Sequence, residues 1–458
     1  MKIKKILLIR SSHYADNGTL VKSNKFLDKL TIANLAEMGL PLLAAYTPNH
    51  IEVEMVDDCM HNTPFDTDAE VIGISAMLIH LSRAVFLAQY FKKQGKIVIM
   101  GGFLPTQHPE KVIDHVDSLC VGEGDAIWPQ MIKDIENKCL KKKYVADHKV
   151  TLENIPTPRY DLIKKDRYFD MNTCYPVQAT RGCPHHCDYC SVIAFYGKTY
   201  RLRPIDDVVR DIKAHGSRYM YFVDDNLFDH RTYAKKLMIA IKECNVLWGV
   251  QSTINIAKDN ELLNLAYEAG CRLMMVGIET VVQKNLNSIA KEWAHSDTYK
   301  ENLQKIQAAG ICVHALIIFG LPEDTIDVFN DSVKFLEECG VAAAEFFVFT
   351  PYPATPCGKR YLKDGKIIDH NLAHYREPYV VFKHPSMSPY EIQNGFRTAL
   401  RKFYSLRGII KRAIYGNCKN KPYQVALNLY YWFKIKRNII PTHFQRSNFS
   451  FYSADTDK

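Results

Sequence analysis

Arg181-Gly182-Cys183-Pro184-His185-His186-Cys187-Asp188-Tyr189-Cys190 contains three cysteines in a C-x3-C-x2-C pattern, with an aromatic residue just before the last one. Three thiolates on one short loop are suited to three irons of a [4Fe–4S] cube, because cysteine sulfur is the usual ligand of such clusters. No fourth cysteine follows at a matching interval. The fourth iron would then be open to a substrate, as catalytic metal sites require. We therefore predict Cys183, Cys187 and Cys190 as the cluster ligands.

A zinc knuckle is the alternative for the same loop. Zinc prefers four protein ligands, and His185 or His186 could supply the fourth. Both histidines lie inside the loop, too close to the cysteines for an ordinary zinc-finger spacing. We favour the iron–sulfur interpretation for this reason.

Strand and helix patterns alternate through residues 1–138, which predicts a doubly wound, Rossmann-like α/β domain. Such sheets bind ligands outside the carboxyl ends of their strands. Predicted strands cover residues 5–9, 51–56, 71–76, 97–100 and 118–121, and predicted helices include 32–46 and 84–94. No G-x-G-x-x-G follows the first strand, so a dinucleotide is not expected. Candidate ligand-binding residues lie near the carboxyl ends of the later strands: Ser75, Gly101, Gly102, Gly122, Glu123 and Gly124.

The rest of the chain divides into a linker, a second α/β unit and an extension. Residues 139–174 are predicted as a charged linker in which residues 155–160 are extended, and we interpret the Lys141-Lys142-Lys143 run as solvated. Six βα units over residues 175–350 predict a partial (β/α)6 barrel, whose active site would lie at the strands' carboxyl ends. Residues 351–458 are predicted to form a mostly helical extension. The predicted strand ends of the barrel carry Asp224, Asp225, Asn226, Gln251, Gly277, Glu279 and Gly320.

The cysteine motif and these strand ends together resemble the radical S-adenosylmethionine (SAM) enzymes. In that family the open iron binds SAM, and an electron from the cluster cleaves it to a 5′-deoxyadenosyl radical. The resemblance implies SAM contacts from Tyr189, from the Asp224–Asn226 tip, from Gly277 and Glu279, and from the segment at Gly320. Many relatives have an arginine where this chain has Gln251, which leaves the contact from the third strand open.

The first 138 residues resemble the cobalamin-binding domain that precedes many radical SAM domains. The resemblance implies that the glycine turns allow close approach of a corrin or its nucleotide tail. One subgroup has Asp-x-His-x-x-Gly with a cobalt-ligating histidine, but this chain has Asp58-Cys59-Met60-His61-Asn62. We therefore expect no cobalt ligand from His61. We interpret His80, beyond a strand end, as solvated rather than facing the corrin.

The extension is strongly basic. Between Ile392 and Ala454 there are twelve Lys and Arg and no Asp or Glu, whereas the whole chain has a formal charge of +9. The segment resembles an extension of a branch that includes hopanoid methylases. Aromatics interleave in the run from Tyr430 to Arg437, so Tyr430, Tyr431, Trp432 and Phe433 are candidates for contact with anionic lipid. The alternative is a cationic cap packed on the barrel. Nucleic acid is not the expected partner.

The whole sequence indicates a multidomain protein of a reducing compartment. The chain has 458 residues and thirteen cysteines but no apolar run of the ~20 residues that a membrane helix needs. We read the short apolar start as a strand rather than a signal peptide and expect a cytoplasmic protein, with peripheral membrane contact through the extension. Cys271, Cys312 and Cys339 fit as small apolar residues of the barrel.

The resemblance implies a cobalamin-dependent radical SAM enzyme that methylates an unactivated carbon of a small-molecule or lipid-like substrate. Its cofactors would be a [4Fe–4S] cluster, SAM and cobalamin, and its electron donor a flavodoxin or ferredoxin. The alternatives are a radical SAM cyclase, a rearranging enzyme or oxidoreductase that uses cobalamin without methyl transfer, and a non-catalytic iron–sulfur or corrin-binding protein.

Overall fold

The computed structural model describes residues 2–22, 37–146, 151–164 and 174–437, and these form two parallel sheets joined by helices. The predicted α/β class with a helical C-terminal part is confirmed. Part of the helix that we predicted over residues 32–46 lies outside the described residues. Its described part is a helix that begins only at Gly39.

The first sheet has six parallel strands in the order β2-β1-β3-β4-β5-β6. This is a doubly wound order, in which ligands bind near the point where the strand order reverses. The strands are β1 (Lys5–Arg10), β2 (Glu52–Asp57), β3 (Val71–Ser75), β4 (Ile97–Gly101), β5 (Ser118–Val121) and β6 (Lys143–Val145). The helices are α1 (Gly39–Ala45), α2 (Leu81–Lys93), α3 (Phe103–Gln107) and α4 (Gly124–Glu136).

The edge strand β6 lies where the sequence indicated a linker. Lys141 and Lys142 precede it, and Lys143 pairs with Leu119 of β5. Tyr144 alternates inward and is buried, while its two strand neighbours are exposed. A three-residue strand with one inward side chain has too short a pattern to be recognised from sequence. The lysine run is exposed, as predicted, although Lys143 also belongs to this edge strand.

The second sheet is parallel and follows chain order, as expected for an open barrel. Its order is β14-β13-β12-β11-β10-β7. The strands are β7 (Tyr175–Val177), β10 (Tyr219–Phe222), β11 (Leu247–Thr253), β12 (Cys271–Glu279), β13 (Cys312–Phe319) and β14 (Ala343–Val348). The intervening helices are α5 (Ser191–Tyr196), α6 (Ile205–His215), α7 (Arg231–Lys242), α8 (Asn260–Glu268), α9 (Gln283–Ser288), α10 (Tyr299–Ala308) and α11 (Val328–Cys339).

A small antiparallel ribbon accompanies the second sheet. Strand β8 (Thr180–Gly182) pairs with β9 (Tyr200–Leu202), so residues 183–199 form one closed excursion of the chain. The three predicted cluster cysteines all lie in this excursion. The ribbon was not predicted, because each of its strands has only three residues.

The extension packs on both units. Its helices are α12 (Pro356–Lys363), α13 (Pro389–Phe403), α14 (Leu406–Tyr415) and α15 (Lys421–Lys436). Tyr375 and Val381 enter the apolar core of the first sheet, whereas Phe382 and Phe396 enter the core of the barrel. Adjacent residues Val381 and Phe382 thus contribute to different cores.

Helices α14 and α15 cover the amino ends of the barrel strands. Tyr404, between α13 and α14, donates its hydroxyl to the carbonyl of Ala344 at 2.6 Å, and Asn428 of α15 donates to the carbonyl of Ala342 at 2.9 Å. Cys418, between α14 and α15, is disulfide-bonded to Cys312 at the start of β13. Cys312 lies buried on a barrel strand, as predicted, but its disulfide was not predicted.

The predicted aromatic lipid contacts are only partly accessible. Tyr430 and Tyr431 are buried, and Trp432 and Phe433 are half-buried. Their proposed insertion into headgroups is excluded for the two tyrosines, because their rings pack in the barrel core. Among the described residues, no helix combines the length and apolar character needed to cross a membrane.

We predict that Phe382→Ala destabilises the protein by about 3–5 kcal/mol, the usual cost of removing a fully buried phenylalanine ring. Phe382 is fully buried and its ring lies 5.2 Å from the ring of Phe349. Urea unfolding followed by circular dichroism measures the effect. Ile368→Ala, at an exposed position of the same extension, is the matched control and should change little. Equal effects of the two substitutions would contradict the packing described here.

Candidate active site

The cysteine excursion begins at a backbone position that requires glycine. Gly182 has φ +86°, and a Cβ at this position would lie 2.2 Å from the carbonyl oxygen of Thr199. Cys183 follows immediately and is half-buried, Cys187 is buried, and Cys190 is half-buried just before α5. The ribbon thus fixes both ends of the excursion that carries all three thiols.

Burial makes these thiols poor acids in the absence of a cation. It raises the pKa of Cys187 to about 11 and that of Cys190 to about 12, and the charges of the neighbouring cysteines add to both shifts. Asn226 offers one compensating contact, from its side-chain amide to the sulfur of Cys183 at 3.7 Å. A metal centre favours the thiolate form, because ligation and deprotonation are coupled.

The thiols are not arranged around a single ion. Within the described ranges, no group of three His, Cys, Asp or Glu side chains is placed to hold one metal ion. A cube differs from such a site because each thiolate binds a different iron. His185, the zinc alternative's candidate, instead lies 2.6 Å from Asp229 and stacks on Trp293 at 4.1 Å. The donor set therefore fits a cluster better than a zinc ion.

The tip of β10 holds the backbone that leads into the cysteines. The buried Asp224 carboxylate accepts hydrogen bonds from the amides of Ala179 and Thr180, and Asp225 accepts one from the amide of Gly182 at 3.2 Å. Burial raises the pKa of Asp224 to about 7 and that of Asp225 to about 6. These contacts position the loop, and contact of this tip with SAM stays a prediction.

The tip of β12 presents a strained glutamate. Glu279 has φ +65° and its carboxylate lies 2.7 Å from the ammonium of Lys291, which also donates to the carbonyl of Gly277 at 2.9 Å. Tyr189 of the cysteine loop hydrogen-bonds Glu279 as well. A non-glycine residue in the left-handed region is uncommon and points to a functional constraint. The sequence identified Glu279 and Tyr189 but not Lys291.

The tip of β13 is organised by a residue that the sequence analysis missed. Asp324 accepts hydrogen bonds from the amides of Gly320 and Leu321 at 2.9 and 3.0 Å, and it binds Asn285. The only signal was the polar pair that follows Gly320-Leu321-Pro322 in the sequence. Gln251 lies on β11 and is half-buried.

A cavity of about 170 Å³ lies beside Cys190, the last of the predicted cluster ligands. Glu377 of the extension reaches this cavity, and burial raises its pKa to about 7. Sequence reasoning missed Glu377, because it lies 187 positions after Cys190 and only the fold brings them together. The lining residues are Tyr189, Cys190, Ser191, Ile318, Phe347, Val348, Phe349, Thr350, Tyr352 and Glu377.

A larger cavity of about 350 Å³ lies between the first sheet and the barrel. It is at the carboxyl ends of β3, β4 and β5, where a doubly wound sheet binds its ligand. Gln178, Arg181, Phe195 and Tyr196 line it from the barrel side. All six residues predicted for the first domain line it, namely Ser75, Gly101, Gly102, Gly122, Glu123 and Gly124.

Four glycines at these turns leave backbone rather than side chains facing the larger cavity, which suits the close approach of a large ligand such as a corrin tail. Ser75 donates its hydroxyl to Glu37 at 2.9 Å. Met77, which is about half exposed, also lines the cavity. The residues present therefore fit part of a cobalamin.

The histidines of the first domain lie elsewhere. His80 is buried rather than solvated, so that interpretation was wrong; its ring accepts a hydrogen bond from the amide of Met77 and stacks on His13 at 5.9 Å. Neither His61 nor His80 lines the larger cavity. The absence of a cobalt ligand at His61 stays a prediction.

A buried ion network connects the two units. Arg181 lies 2.9 Å from Asp125 and also pairs with Glu123, whose other oxygen is 2.6 Å from Arg201. Burial disfavours the charge on Arg181, but the two carboxylates more than offset it and raise the pKa of Arg181. Glu123, predicted as a cofactor contact, thus binds the residue two positions before Cys183.

Comparison with known proteins agrees with this geometry. A profile of the radical SAM superfamily matches residues 177–336. The chain carries a radical SAM domain. The chain is 27% identical over 398 residues to the bacteriochlorophyllide d C-8(2)-methyltransferase of Chlorobaculum tepidum, covering 83% of this chain and 88% of that protein.

Similarity also extends beyond the radical SAM domain. The hopanoid C-2 methylase of Rhodopseudomonas palustris is 26% identical over 432 residues, which cover 90% of this chain and 79% of that protein. The radical SAM methyltransferase TsrM from Kitasatospora setae, solved with cobalamin and a [4Fe–4S] cluster, superposes with a TM-score of 0.66. The superposition covers 95% of this chain and 100% of the TsrM chain. The sequence identity is 13%, so the match shows a shared fold.

We predict that Arg181→Met destabilises the protein by about 3–5 kcal/mol, because it removes the partner of Asp125 and leaves the buried Glu123 with Arg201 alone. The melting temperature and urea unfolding measure the loss. Arg231→Met is the matched control, because the Arg231 side chain is 60% exposed and its partner Asp259 keeps the amide of Leu262 and the ammonium of Lys235, so the loss should be about 1 kcal/mol or less. A loss no larger than that of the control would show that the network does not hold the units together.

Proposed function

We propose that this protein is a cobalamin-dependent radical SAM methyltransferase that acts on an unactivated carbon of a small-molecule or lipid-like substrate. The observation that carries the proposal is that one segment separates two cavities. Tyr189, Cys190 and Ser191 line the smaller cavity, whereas Arg181 and Tyr196 of the same segment line the larger one. One cysteine-bearing segment thus contacts both proposed cofactor sites, which suits a reaction that uses both cofactors on one substrate.

The names of the relatives support methyl transfer over the alternatives. Two relatives that match over most of this chain are named for methylating a bacteriochlorophyllide and a hopanoid. When bound, the cluster supplies the electron that cleaves SAM, and cobalamin supplies the methyl group. We infer that Cys183, Cys187 and Cys190 hold the cluster and that the thiols' burial excludes water from it.

We assign SAM to the smaller cavity and its rim. Aromatic and aliphatic side chains dominate this cavity, which suits a purine ring, and Cys190 places it next to the cluster. Glu279 and Lys291 form a charged pair beside Tyr189, which suits recognition of the amino and carboxylate groups of SAM by charge-assisted hydrogen bonds. Gly277, Gln251, Asn226 and Gly320 complete the proposed rim.

We assign cobalamin to the larger cavity. Backbone at Gly101, Gly102, Gly122 and Gly124 would contact the cofactor, with Ser75 as a hydroxyl partner. Glu123 would act indirectly, by fixing Arg181 at the cavity wall. The electron donor would be a flavodoxin or ferredoxin, because cleavage of SAM consumes one electron that the cluster must receive from outside.

We predict that the Cys183→Ala/Cys187→Ala/Cys190→Ala variant loses iron, sulfide and visible absorbance, because the substitutions remove all three proposed thiolate ligands of the cluster. Anaerobic purification after cobalamin feeding, with iron, sulfide and corrin quantified on one sample, measures this. Cys244→Ala/Cys139→Ala is the control, since both thiols lie outside the core. The triple cysteine variant should still retain corrin. Retained iron would refute the ligand assignment, and absence of corrin from the wild type would refute the cobalamin assignment.

We predict that Glu279→Ala keeps its iron but forms 5′-deoxyadenosine from SAM at least about tenfold more slowly, as expected when one charge-assisted contact of about 1.5–3 kcal/mol is lost. The assay is chromatography of the reaction products under reducing conditions. Glu292→Ala, at an exposed neighbour of Lys291, is the control. Unchanged cleavage would leave Glu279 with a structural role only. Wild-type protein that forms no 5′-deoxyadenosine would indicate a non-catalytic binding protein.

A further inference from the structure

Helix α14 exposes an apolar stripe on the face away from the barrel. Leu406, Ile410 and Ile414 are 50, 59 and 63% exposed, and their spacing of four residues places them on one side of the helix. Tyr415 follows and is 76% exposed. The opposite side is already buried through Ile409 and its neighbours. The helix therefore has a second apolar side that no described residue covers.

The stripe is accompanied by positive charge. Arg407 and Lys411 each follow a stripe residue in the sequence, and Arg401 and Lys402 lie just before the helix. Lys411 pairs with Glu337 of α11 at 2.7 Å but its side chain stays 51% exposed. No acidic residue occurs between Ile392 and Ala454, so the segment itself cannot neutralise these cations.

The position of the stripe limits what it can bind. Helix α14 lies at the amino ends of the barrel strands, as the contacts of Tyr404 with Ala344 and of Cys418 with Cys312 show. The cluster cysteines lie at the opposite ends of the strands. A reductase docked on α14 would be separated from the cluster by the barrel. A second copy of the same face would bring like charges together.

We propose that Leu406, Ile410 and Ile414 form a docking surface for an anionic lipid bilayer. A short helix with outward apolar side chains and flanking cations is suited to lie in the headgroup region, with its apolar side facing the acyl chains. This surface replaces Tyr430 and Tyr431, which are buried. It is remote from both cavities and does not depend on the proposed chemistry, although it suits a lipid-like substrate.

The experiment uses the full-length protein and co-sedimentation with two kinds of vesicle. One is pure phosphatidylcholine, and the other contains about one quarter phosphatidylserine, so that charge is the only difference. We expect the wild type to bind the anionic vesicles and to be released at high salt, because salt screens headgroup attraction. Ile410→Ser/Ile414→Ser should bind at least about tenfold more weakly, since two apolar side chains no longer enter the bilayer.

Ile239→Ser/Ile326→Ser is the matched control, because Ile239 on α7 and Ile326 in the turn before α11 are 61 and 52% exposed. It should bind vesicles as the wild type does, and both double variants should keep the wild-type melting temperature and SAM cleavage. Equal binding to both vesicle types, no binding by the wild type, or equal losses in both variants would overturn the proposal. A wild-type dimer that Ile410→Ser/Ile414→Ser dissociates, without lipid binding, would also overturn it and assign the stripe to a second copy.

Discussion

The buried pairing of Arg181 with Glu123 and Asp125 is the interaction on which the arrangement of both cavities depends. Its cation belongs to the radical SAM domain and its anions to the turn after β5. A charge pair removed from water tolerates little displacement, because moving either partner exposes an uncompensated buried charge. The network therefore fixes the distance between the glycine turns and the cysteine loop. Since Arg181 precedes Cys183 by only two residues, that constraint reaches the cluster site directly.

The extension acts as part of the core rather than as an external cap. Val381 and Phe382 are consecutive, and their side chains enter the apolar cores of the two different units. Alternation along an extended chain makes this possible, because neighbouring side chains point to opposite sides. The same stretch brings Glu377 to the cavity beside Cys190. The stretch from Glu377 to Phe382 therefore both packs the two units together and supplies a side chain to the smaller cavity.

Local patterns in the sequence were sufficient for the fold class and the cysteine loop. The hydrophobic periods that distinguish strands from helices can be recognised within about ten to fifteen residues. The motif of Cys183, Cys187 and Cys190 is equally local, because all three cysteines lie on one loop. The missed features depend on long-range contacts. Arg181 and Glu123 are 58 positions apart, and the burial of Tyr431 follows from packing against the barrel core. A basic, aromatic sequence looks the same whether its rings face a core or a membrane.

Separation of two cavities by one segment places a mechanical demand on that segment. If the two cavities hold the proposed cofactors, the wall between them must hold its position while either one is filled or emptied. Here the wall is held from three directions: Asp225 binds the amide of Gly182, Arg360 of the extension binds Asp188 at 2.6 Å, and Arg181 binds the first domain. Each contact comes from a different part of the chain. The cysteine loop therefore owes its rigidity to the assembled fold, even though its ligands are adjacent in sequence.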